Sequence, residues 1–116
     1  MGTLHLGRIT RIDLSDHVLA HLHAVLIAKF RVHEPVLLGW TSPDGRHDEV
    51  LVHPTQTVLA TYDQDEEPRR LDRAWLERLM RAANGVAGLQ LTPELVAELD
   101  AAGGAAADAA TSEPAG

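Results

Sequence analysis

The chain has 116 residues, 45% of them hydrophobic, and no cysteine. That length fits one domain, the apolar content excludes a wholly disordered chain, and the missing thiols exclude disulfides, thiolate metal sites and cysteine nucleophiles. Lys and Arg total 10 against 17 Asp and Glu, a formal charge of -7, which argues against general nucleic-acid binding because proteins that grip a duplex present a basic face.

In chain order, Thr3–Leu6 and Ile9–Leu14 alternate apolar and polar residues around Gly7 and predict a strand pair or hairpin. Leu4 and Leu6 share one face, and Ile12 and Leu14 another. Ser15 or Asp16 then caps a helix running to about Val32, with Leu14 and Leu19 as a hydrophobic staple. Leu19, Leu22, Leu26 and Phe30 form its apolar stripe. Val36–Trp40 reads as a buried strand. The Ser42-Pro43-Asp44-Gly45 turn joins it to a second strand, Glu49–His53, in an antiparallel hairpin. After His53-Pro54, Thr57–Tyr62 is expected to add a third strand and complete a meander. Asp72 caps a second helix with Trp75, Leu76, Leu79, Met80 and Ala83 on its apolar side, and Asn84-Gly85 reads as a left-handed terminator. Leu89–Leu91 is a short edge strand, and Thr92-Pro93-Glu94 opens a short third helix. The expected fold is α+β: a small antiparallel sheet of about five strands, in the order ββαβββα with a weak final βα, packed on two main amphipathic helices. Residues 1–100 form the domain, and 101–116, an alanine- and glycine-rich run without apolar periodicity, form a disordered tail.

Candidate chemistry is sparse. His17 and His21, four apart, share one helix face that projects opposite the leucine stripe, toward solvent or a partner. They are candidate metal ligands, but zinc sites need three or four ligands and no H-E-x-x-H pattern is present. His23 sits at the margin of the stripe. His47 and Asp48 form a candidate pair in the hairpin loop. His53 ends a strand beside Pro54, a position suited either to a binding imidazole or to plain strand termination. Arg69, Arg70, Arg73, Arg78 and Arg81 crowd the second helix, and Arg70 and Arg73 flank its N-terminus, where an anion would dock. Nearby Asp65, Glu66, Glu67, Asp72 and Glu77 offer surface ion pairs as the alternative. Trp75 belongs to the core side of its helix. Trp40, at a strand end beside a loop, is a candidate interface anchor. Ser15, Ser42 and Ser112 lack the G-x-S-x-G setting, and no glycine-rich phosphate loop precedes a helix. No catalytic residue and no cofactor are expected.

The chain resembles a family of short actinobacterial proteins of uncharacterised function. The resemblance rests on Met1-Gly2-Thr3-Leu4-His5, Leu19-Ala20-His21-Leu22, Trp40, His53-Pro54, Arg73-Ala74-Trp75-Leu76-Glu77, Ala83-Asn84, and Gly88-Leu89-Gln90-Leu91 with Pro93-Glu94. It spans about residues 1–98 and carries over no functional residue. Similar proteins sometimes bear the label ATP-dependent DNA ligase. Ligase nucleotidyl transfer needs the lysine of a K-x-D-G motif, and the nearest string here is Ser42-Pro43-Asp44-Gly45, with serine in the lysine's place. The sole lysine, Lys29, lies inside a helix.

The leading expectation is therefore a non-enzymatic interaction or regulatory module, with a homodimer as one candidate assembly. A nucleic-acid or nucleotide accessory protein using Arg70 and Arg73 is the second reading, and a small metal-assisted enzyme using His17, His21 or His53 is the third. The start of the chain lacks a signal-peptide pattern, and no apolar run approaches a membrane span, so a cytoplasmic protein is expected.

Overall fold

The computed structural model describes residues 1–8, 10–42, 44–63 and 70–101. Its elements are β1 (Gly2–Leu6), β2 (Thr10–Leu14), α1 (Asp16–Arg31), β3 (Val36–Thr41), β4 (His47–Val52), β5 (Val58–Thr61), α2 (Arg73–Ala83), β6 (Leu89–Leu91) and a closing helix α3 at residues 93–101. The α+β class holds. Ala101 is the last residue of α3, and residues 102–116, which carry the rest of the expected tail, lie outside the described residues.

The strands divide into two sheets of three, ordered β2-β1-β5 and β4-β3-β6. This corrects the expected meander: β5 leaves β4 and pairs antiparallel with β1, Leu4 opposite Ala60 and Leu6 opposite Val58. The departure begins at a turn, where the Gln56 amide donates to the His53 carbonyl at 2.9 Å. Past the turn, the Gly7 amide donates to the Thr57 carbonyl at 2.8 Å and draws the chain to the β1–β2 hairpin. The second correction concerns β6, which lies parallel to β3 with Leu38 opposite Leu89 and Trp40 opposite Leu91. That sheet is mixed.

Strand pleating sorts the side chains. Leu4 and Leu6 of β1 and Ile12 and Leu14 of β2 all come to one buried face, joined across the second sheet by Val36, Leu38, Val52, Leu89 and Leu91. These pack in one core with Val18, Leu19, Leu22, Val25 and Leu26 of α1, Leu79 and Ala83 of α2, and Leu99 of α3. Each leucine or valine so buried contributes about 1.5–3 kcal/mol relative to exposure.

The helix starts follow their caps. Ser15 is extended, and its Oγ accepts the Val18 amide at 3.2 Å; the same hydroxyl donates to Asp100 of α3. Asp72 caps α2, with Oδ1 accepting the amides of Ala74 and Trp75. The helix ends differ from expectation. Asn84 is right-handed at the end of α2, and the left-handed residue is Gly88, φ 74°, whose Cβ position is closed by the Leu37 carbonyl at 2.5 Å. Glycine is required there both for the dihedral and for the contact. His33, φ 59°, makes the left-handed exit from α1.

Candidate functional site

α1 is buried over a wider arc than its leucine stripe, because α2 covers the flank carrying His21. His21 is fully buried, which corrects its expected outward placement. Its Nδ1 lies 2.8 Å from the His17 carbonyl oxygen, so that nitrogen carries the proton. Nε2 then accepts the Asp72 amide at 2.9 Å. With both nitrogens engaged, the ring is a structural tie between α1 and the start of α2 rather than a metal ligand. The His17 ring packs tilted against it, with centroids 4.4 Å apart, and among the described residues the buried His17 Nε2 has no hydrogen-bond partner. Desolvation lowers the His17 pKa below its ordinary 6.5. The neighbouring His21 lowers it further, while Asp100 and Asp72 oppose the shift. Among the described residues no three His, Asp or Glu side chains converge as a metal site.

The other histidines disperse. His23 is half-buried near the Tyr62 hydroxyl at 3.5 Å, and burial lowers its pKa. His47 and Asp48 are adjacent strand residues and point to opposite sheet faces, so they form no pair. His47 Nδ1 is 3.3 Å from the Thr41 hydroxyl, and Asp48 pairs with Arg46 at 3.6 Å. His53 is exposed, with Nδ1 3.0 Å from the Thr55 hydroxyl and its amide donating to Gln56 Oε1 at 2.7 Å. Its bonds are all local to the turn that redirects β5.

Among the described residues the arginines around α2 are exposed, and two of them have separate partners. Arg73 is exposed and pairs with Glu77 at 3.4 Å, one helical turn on. Arg78 donates to Glu98 of α3 at 3.0 Å and lies over the half-buried Trp75 ring at 4.5 Å. Arg70 and Arg81 are exposed, and Arg69 lies outside the described residues. At α2 the carboxylate of Asp72 takes two of the N-terminal amides, those of Ala74 and Trp75, with which an anion would compete.

Lys29 is 5% exposed, with its Nζ donating to Glu34 and to Asn84 Oδ1 at 2.5 Å. It ties the end of α1 to the end of α2, as His21 does at the other end.

Trp40, among the expected site residues, lines a cleft. A cleft of about 860 Å³ separates the two sheets, with Trp40, Thr41 and Ser42 on one side and Arg11, Ile12, Asp13 and Leu14 on the other. Leu91 of β6, Pro93 and Val96 of α3, and Met1 also line it. A second, more polar cleft of about 460 Å³ lies beside it, lined by Thr10, Arg11, Trp40, Ser42, Arg46, Asp48, Glu49 and Val50. Trp40 thus lines both clefts. The larger volume falls within the ~300–1,000 Å³ of sites that enclose small ligands or anchor side chains. Its apolar wall and half-buried indole suit non-covalent burial of an apolar group. Sequence reasoning missed every lining residue except Trp40, because they come from separate segments and share no motif.

The fold and the cleft define a small α+β domain in which two three-stranded sheets share one core and part at Trp40. Residues 1–94 match the family Domain of unknown function (DUF7882), and the chain belongs to that family. No curated protein and no solved structure matches the chain. Among the described residues no helix is long and apolar enough to cross a membrane.

Proposed function

We propose that this domain is a non-enzymatic interaction module, cytoplasmic in location, that holds its partner in the cleft at Trp40. The observation that carries the reading is the position of that indole. It is half-buried in the shared core yet lines both clefts. Tryptophans at such places dominate binding energy because they bury a large, rigid surface at low entropic cost. The charged rim is already paired within the chain, Arg11 with Asp13 at 3.8 Å and Arg46 with Asp48 at 3.6 Å. An apolar partner surface therefore suits the cleft better than a polyanion.

The test compares the wild-type chain with Trp40→Ala, both checked for folding by circular dichroism. Light scattering reads self-association, and affinity capture from native lysate reads partners. Loss of association or of captured partners in Trp40→Ala alone supports the reading. A monomer that retains nothing, or a partner set indifferent to Trp40, counts against it.

A further inference from the structure

The way β2 borders the cleft narrows the kind of partner. Successive strand residues point to opposite faces, so a cavity lying over one face is lined by every second residue. Here the consecutive residues Arg11, Ile12, Asp13 and Leu14 all line the cleft. The cavity therefore runs along the edge of the strand. β2 is the terminal strand of its sheet, and its register with β1 runs from Leu14 opposite Gly2 to Thr10 opposite Leu6 without a bulge. Among the described residues no backbone hydrogen bond reaches β2 from outside that pairing. Sheet edges are commonly protected by proline, a bulge or charged side chains; Thr10–Leu14 has no proline and no bulge, and its two charges, Arg11 and Asp13, pair with each other at 3.8 Å. Among the described residues, what β2 offers the cleft is the outward amide and carbonyl groups of every second residue, without a partner, with Trp40, Leu91 and Val96 as apolar walls.

We propose that the free edge of β2 receives an extended peptide segment of a partner protein as an added strand, one of whose alternating side chains is apolar and packs on Trp40. The proposal rests on the cleft reading above and names the partner's chemistry. In this mode main-chain hydrogen bonds supply affinity, and pockets for every second side chain supply specificity. The mixed charge of the rim asks for no net charge in the segment. Proline is excluded from the positions that pair with β2, because it has no amide to donate.

The probe is a displayed library of random peptides about nine residues long, selected on the full chain and counter-selected on Trp40→Ala. Val96→Asp serves as a second counter-selection variant should Trp40→Ala fail to fold. The best peptide is then synthesised with single backbone N-methyl groups at successive positions, and each version is measured by fluorescence anisotropy. Strand addition predicts a period of two: methyls at alternate positions weaken binding at least ~10-fold, and those between change it less than ~2-fold. A flat N-methyl profile with binding still dependent on Trp40 overturns strand addition and leaves the cleft reading standing. Selection of no peptide that distinguishes wild type from the variants overturns both. A dimer whose cross-links join β2 to β2 places a second copy on the edge and overturns the proposed occupant.

Discussion

The ring of His21 accepts the backbone amide of Asp72 at 2.9 Å, across 51 residues of sequence. One buried side chain thereby fixes where α2 begins relative to α1, because Asp72 is the cap of α2. Its other nitrogen donates within α1 to the His17 carbonyl. The geometry therefore requires the neutral tautomer protonated at Nδ1.

His21→Ala removes this tie, leaves the Asp72 amide without its acceptor, and opens a cavity under α2. Unsatisfied buried donors and large-to-small core changes each cost about 1–4 kcal/mol. The expected loss is about 2–4 kcal/mol in urea unfolding, and a loss under about 0.5 kcal/mol would remove the tie from the account. Nitrogen chemical shifts of the histidine rings give a separate reading, with His21 in the Nδ1–H form.

Acid should weaken the fold. Burial holds the folded-state pKa values of His17 and His23 below the ordinary 6.5. The unfolded chain therefore binds more protons than the folded one between those lowered values and 6.5. The stability tied to these two rings is fully present above about pH 6.5 and is lost as the pH falls below it. Urea midpoints should drop between about pH 7.5 and pH 5.5, and the double substitution His17→Phe with His23→Phe should flatten that slope. An unchanged slope in the double variant assigns the acid response to other groups.

Lys29 is buried against a half-exposed Glu34 and the Asn84 amide. Removing one partner of a buried charge costs more than replacing the charge with an apolar group of similar shape. Glu34→Ala should therefore destabilise by about 1–3 kcal/mol, and Lys29→Met by less. The reverse order in urea unfolding would show that the ammonium contributes chiefly by attraction.

Two buried glycines should respond differently to alanine. At Gly88 the added Cβ meets the backbone carbonyl of Leu37 at 2.5 Å, and φ is 74°. At Gly39 it meets the side-chain end of Gln90. Gln90 can swing aside at the cost of its bond to the Ala87 carbonyl; the Leu37 backbone cannot. Gly88→Ala is expected to cost more than about 2 kcal/mol and Gly39→Ala about 1 kcal/mol, with Gln90→Ala relieving Gly39→Ala alone. Equal losses at the two sites would contradict the contacts.

Local patterns carried much of the fold. Ser15 and Asp72 are caps as their spacing indicates, and the alternation of Leu4 with Leu6 and of Ile12 with Leu14 marks two strands, whose antiparallel pairing then brings both pairs to one buried face. Partners were less legible. A period of two makes Val58–Thr61 a strand but does not say which edge it joins, and the turn at His53–Gln56 sends it to β1. The projection that put His21 outside measured its angle from the leucine stripe alone, whereas α2 buries that flank too. Of the Arg70 and Arg73 pattern, Arg73 pairs with Glu77 one turn on, and Asp72 takes two of the helix amides near it. Trp40 is legible as a candidate because tryptophan dominates binding hot spots and this one ends a strand beside a loop. The cleft beside it is assembled from β2, β3, β6 and α3 and has no linear signature.

The most direct measurement places a photo-crosslinking residue at the cleft rim, Arg11→p-benzoylphenylalanine, and the same residue at fully exposed Val86. Irradiation in cells should yield a discrete adduct from the rim position that disappears when Trp40→Ala is added, and none from Val86. Equal adducts from both positions, or a rim adduct that survives Trp40→Ala, would contradict the cleft as the place where this domain meets its partner.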